Sequence, residues 1–110
     1  MENNNKIATY IGFSIRSRNC KMGVNAVATL KRADLVMVCH SASDNTKKDA
    51  VKLATRFRTK LIISRKILLS DLTHKDNCKV LAITDKSLAK AILDNLNDDF
   101  TEYSMEANNG

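Results

Sequence analysis

Residues 34–48 read Asp34-Leu35-Val36-Met37-Val38-Cys39-His40-Ser41-Ala42-Ser43-Asp44-Asn45-Thr46-Lys47-Lys48. Leu35 to Cys39 is an unbroken apolar run, far shorter than the about 20 residues of a bilayer span. Alternation would mark a strand with one wet face; a continuous run predicts a strand covered on both, as in a parallel or mixed α/β sheet. Ser41, Ser43, Asp44, Asn45 and Thr46 follow, with short polar side chains that accept hydrogen bonds from the free N–H groups of a helix start. Lys47 and Lys48 then open a basic helical pattern. Buried strand, capping loop and helix are thus packed into one short stretch.

Working upstream, Ile7, Tyr10, Ile11, Ser14 and Ile15 fall on one helical stripe that ends near Arg16 and Arg18. Residues 1–5 are a polar leader expected to fray, and Gly12 is expected where another backbone comes close. Asn19 to Met22 leaves room for a short strand before Gly23. A second helical pattern runs from Val24 to Lys31. Downstream, residues 45–58 predict a helix with Ala50, Val51, Ala54 and Phe57 inward, and with Lys48, Lys52, Arg56 and Thr59 sharing another face. Leu61 to Ile63 predicts a strand, Ile67 to Leu72 a short helix, and residues 73–79 a polar loop. Val80 to Ile83 predicts the last strand, and Thr84 or Asp85 caps a final helix to Leu96. Alternating elements predict an α/β fold, a three-layer α/β/α sandwich around a small mixed four-stranded sheet. The expected domain covers residues 6–97, and residues 98–110 are expected to form an acidic tail.

A chain of 110 residues with 44% apolar content suits one globular domain rather than a disordered one. Cys20, Cys39 and Cys78 are odd in number and lack CxxC spacing, which speaks against a disulfide framework or a zinc site. The start of the chain lacks the basic-then-apolar layout of a secretory signal, so the protein is expected in the cytoplasm. The net charge of +6 is uneven: residues 1–84 carry sixteen Lys or Arg against six acids, and residues 85–110 carry two against six. A basic body suits a polyanionic partner.

No catalytic constellation stands out. His40 and His74 have no companions at metal-ligand spacing, neighbours such as Cys39 and His40 point to opposite faces of a strand, and neither GxxxxGK[ST] nor GxGxxG occurs. The remaining candidates are basic and polar residues near loops. Lys21, Gly23 and Asn25 surround the second helix start, where free N–H groups and a side-chain-free residue allow close approach to a phosphate. Lys31 and Arg32 close that helix. His74, Lys75, Asn77 and Lys79 lie in the loop before the last strand. Their joint use requires the two segments to lie side by side.

Three blocks carry a family resemblance. Tyr10 to Ser17, on to Lys21, is similar to an opening-helix motif LGLARRAGK. Leu35 to Val38 with Ala42 to Lys48 is similar to a strand followed by ASxNTxKK. Leu69 to Asp76, followed by Val80 to Asp85, is similar to LGKAIGKD and VVAITD. Over residues 6–96 the chain resembles the kink-turn RNA-binding ribosomal-protein superfamily (archaeal ribosomal protein L-seven-Ae and eukaryotic ribosomal protein L-thirty-e type), in particular its bacterial YlxQ-like branch. The resemblance implies an α/β/α sandwich without a cofactor, which reads a kinked RNA duplex through the second helix start and the loop before the last strand. Gly23 and Asn25 match the family's G-x-N-E-x-x-K pattern, with Ala26 at its Glu and Thr29 at its Lys. The leading expectation is a non-enzymatic protein that binds structured RNA such as ribosomal RNA, with ribosomal or other RNA-associated proteins as further partners and no membrane. A protein-interaction adaptor on the same scaffold is the alternative.

Overall fold

A computed structural model describes residues 2–103, with side chains from Lys6 onward. Its elements are α1 (Glu2–Arg16), β1 (Cys20–Met22), α2 (Val24–Ala28), β2 (Leu35–Cys39), α3 (Asp44–Phe57), β3 (Leu61–Ser64), α4 (Leu69–Thr73), β4 (Val80–Ile83), α5 (Lys86–Asp94) and β5 (Phe100–Glu102). The strands form one mixed sheet in the order β1-β4-β2-β3-β5. The β2–β3 pair is parallel, joined by a crossover through α3, and the other three pairs are antiparallel.

The unbroken apolar run of β2 has the cause expected of it. All five residues are buried, and they divide between two cores by strand alternation. Leu35, Met37 and Cys39 join Ile7, Ile11, Leu69, Ile92 and Phe100 on the face covered by α1, α4 and α5. Val36 and Val38 join Val27, Ala50, Leu53 and Ala54 on the face covered by α2 and α3. β3 and β4 are buried throughout for the same reason. Helices therefore cover both faces, and among the described residues none is long and apolar enough to cross a membrane.

The helix caps follow the sequence. Ser43 Oγ accepts from the Thr46 N–H at 3.1 Å and starts α3. Asp85 Oδ1 accepts from the Leu88 N–H at 2.8 Å and starts α5.

Five expectations need correction. The sheet has five strands rather than four, because Phe100, fully buried, carries β5 onto the edge of β3. The segment expected to begin a tail at Asp98 instead turns at Asp98 and Asp99 and is strand over Phe100–Glu102; residues 104–110 of that expected tail lie outside the described residues. The expected leader is helical from Glu2, in continuity with α1. α2 stops at Ala28 instead of running to Lys31, because the Thr29 hydroxyl bonds back to the Ala26 carbonyl at 2.6 Å. At Gly12 no backbone approaches: a Cβ there would meet only the Arg16 guanidinium, at 3.4 Å.

Candidate nucleic-acid interface

β1 and β2 both run antiparallel to β4, so the chain leaves β1 and β2 at the same end of the sheet where it enters β4. At that end the Gly23 N–H donates to the Val80 carbonyl at 2.7 Å and the Cys39 N–H to the Lys79 carbonyl at 2.8 Å. The start of α2, the end of the loop at residues 74–79 and the β2–α3 connection therefore meet in one place. Their juxtaposition is produced by sheet pairing between residues nearly sixty positions apart in sequence, which no local pattern reveals.

Gly23 holds φ at 94°, a conformation that L side chains rarely adopt, and no atom lies within 4 Å of where a Cβ would stand. Glycine is thus required by the backbone, and the space beside it is open. Asn25 is exposed in the first turn of α2. That helix is only five residues long, so its dipole contributes little and the Asn25 side chain is the better contact. Lys21 is exposed on β1, opposite Ala82 on β4. Lys79 lies half-buried with Nζ donating to Ser41 Oγ at 2.7 Å, which fixes its ammonium over the end of β2.

The loop before β4 is shaped by two residues in the left-handed region, His74 at φ 59° and Asn77 at φ 61°. The Cys78 N–H donates to the Lys75 carbonyl at 3.2 Å, and the buried Cys78 side chain pins the loop to the core. Lys75 and Asn77 are left exposed. His74 lies on the other flank, lining a groove between α1 and α4 with Thr9, Gly12, Arg16 and Asp71. Lys31 and Arg32 are also elsewhere. Asp34 N–H donates to the Ile83 carbonyl at 2.8 Å, so the residues before it belong to the opposite end of the sheet. Of the nine residues expected to act together, Gly23, Asn25, Lys75, Asn77 and Lys79 share one end; Lys21 stands between the two ends, opposite Ala82, and His74, Lys31 and Arg32 do not join them.

No protein-family model matches the chain, and no curated protein matches it.

Two neighbours at the same end lie outside the expected contact set: His40, which reads as an ordinary strand-end residue, and Ser41, which reads as part of the capping loop. His40 Nδ1 lies 3.0 Å from the Ser64 carbonyl, and Ser41 receives Lys79. Cys39 Sγ, fully buried behind them, is 3.2 Å from Ser41 Oγ. Burial pushes this thiol up, but hydrogen bonds from the Ser41 hydroxyl and from the Leu69 and Ser41 backbone outweigh it. Its pKa is lowered as a result. Cys20, at the other end of the sheet, is pushed up to about 11, mainly by burial. Among the described residues no group of three His, Cys, Asp or Glu is arranged to hold a metal ion.

Proposed function

We propose that this chain is a non-enzymatic, cytoplasmic RNA-binding protein that takes structured, kink-turn-like RNA at the end of the sheet formed by Gly23, Asn25 and Lys79. The observation that carries this reading is the 2.7 Å bond from Gly23 to Val80, which sets the start of α2 against the loop before β4. Those are the two segments through which the resembled superfamily reads RNA, and helices on both faces of the sheet agree with its three-layer α/β/α arrangement. Lys21, Lys75 and Lys79 supply phosphate attraction without sequence preference, and Asn25 and Asn77 supply amides for base edges. Ala26 and Thr29 replace an acidic and a basic contact of the family pattern, so shape and unstacked bases carry more of the recognition.

The test is a gel shift at low salt with a kink-turn RNA and with a straight duplex of the same length. Preferential retardation of the kinked RNA, weakened by Asn25→Ala, is expected. Equal or absent retardation of both overturns the reading, and a protein that co-purifies after nuclease treatment then favours the adaptor.

A further inference from the structure

A second basic surface lies on the opposite flank of α3 from α2. Asp44, Lys47, Lys48, Val51 and Lys52 line it from the helix, and Tyr103, just beyond β5, closes the other wall. The groove holds about 470 Å³, within the roughly 300–1,000 Å³ of small-ligand clefts. Tyr103 is held in place from both sides: its N–H donates to the Leu61 carbonyl at 2.8 Å, and its ring packs on the core beneath α3. Among the described residues none of the three lysines makes an ion pair, so three ammonium groups face one carboxylate, Asp44. Arg56, expected to continue this basic stripe, instead turns to the other flank, where it donates to the Ala28 and Leu30 carbonyls at 2.9 and 3.0 Å.

Lys48 and Lys52 are one helical turn apart, a rise of about 6 Å at 1.5 Å per residue. The charges therefore form a row along an open groove. An aromatic wall beside a row of cations is the arrangement that holds an extended strand, with a base on the ring and successive phosphates on the ammonium groups. We propose that this groove binds a single-stranded RNA segment, with Lys47, Lys48 and Lys52 on its phosphates and a base against Tyr103 and Val51. The inference rests on reading the protein as an RNA binder, but not on the kinked target.

The experiment uses fluorescence anisotropy with a labelled twelve-nucleotide oligouridine RNA. Lys47→Gln/Lys48→Gln/Lys52→Gln is compared with Lys31→Gln/Arg32→Gln/Lys86→Gln, an equal change of charge at the far end of the sheet. Three lost phosphate contacts should weaken binding by about tenfold or more at low salt and flatten the log-log salt slope by about 2. The control should change affinity less than threefold, and a thiouridine crosslink should map to Tyr103 or the Val51–Lys52 peptide. Equal losses in both variants, crosslinks elsewhere, or a duplex competing as well as the single strand each overturn the inference. The kink-turn gel shift of the same groove variant separates the two ideas. An intact shift with lost oligouridine binding supports two sites; a wild-type protein that crosslinks oligouridine but ignores the kinked RNA removes only the kinked target.

Discussion

The two ends of the sheet are built from similar residues and put to opposite uses. At the end where β2 begins, polar side chains are spent on the protein itself. Thr59 Oγ1 donates to the Asp34 carbonyl at 2.7 Å, Thr84 Oγ1 donates to Asn19 Oδ1 at 3.2 Å, and Arg56 clamps the end of α2 while stacking on Phe57 at 4.7 Å. At the end where β2 finishes, Asn25, Lys75 and Asn77 are exposed, and Lys79 is steadied by one neutral hydroxyl. Charge alone does not mark a binding surface. What differs is whether the backbone nearby has carbonyls left to satisfy, as α2 does at its C-terminus and Gly23 does not.

If the open end rests on a rigid floor, truncating that floor should cost more than any change in the charges above it. Phe100 is fully buried in the same core as Cys39, Leu69 and Cys78. Phe100→Ala should lose about 3–5 kcal/mol, seen as a lower urea midpoint with an unchanged slope. A loss below about 1 kcal/mol would mean that β5 is no part of the floor beneath the open end.

Much of this floor was legible in the sequence, and the exceptions have physical causes. The five apolar residues of β2 and the Ser43 cap announce themselves because each depends on its immediate neighbours. β5 does not, since Phe100 is one apolar residue among Asp98, Asp99 and Glu102, and its burial depends on pairing with a strand almost forty residues earlier. The place of Lys31 and Arg32 was hidden for a related reason. α2 ends early because Thr29 bonds back to Ala26 and the distant Arg56 takes the Ala28 carbonyl, so its length depends in part on a tertiary contact that propensity does not contain. The meeting of Gly23 with Lys79 depends on β1, a strand of three residues with no periodicity to read.

The next two changes separate the ends directly. Arg56→Ala removes two hydrogen bonds, one to the last residue of α2 and one to Leu30 just beyond it, and should cost about 1–2 kcal/mol of stability, with RNA affinity unchanged once the protein is folded. Lys75→Gln/Lys79→Gln should do the reverse. Thermal stability should stay within a degree or two, while RNA binding weakens about tenfold and the salt dependence becomes shallower by about 2 contacts. Lys31→Gln/Arg32→Gln should leave that salt dependence nearly as it was. Should both double variants lose affinity equally, the two ends are equivalent to RNA.

The smallest effect concerns the thiols, which repeat the contrast in acid–base terms. Cys20 sits opposite Ile83 at the closed end, and burial raises its pKa to about 11. A thiol that resists ionisation when folded stabilises the protein below its unfolded pKa of about 8.5, and that contribution is lost as pH rises towards the folded value. By pH 9.5 the loss should reach about 1 kcal/mol, at 1.36 kcal/mol per pKa unit. Cys39 has the opposite sign, because its lowered pKa gives stability above the unfolded value that disappears as pH falls through the folded one. Urea midpoints between pH 7 and 10 should therefore decline less in Cys20→Ala than in the parent chain and more in Cys39→Ala. The slopes matter here rather than the starting stabilities, since both substitutions also remove buried volume. If the two slopes shift in the same direction, the hydrogen bonds around Cys39 do not outweigh its burial, and the open end is no more welcoming to negative charge than the closed one.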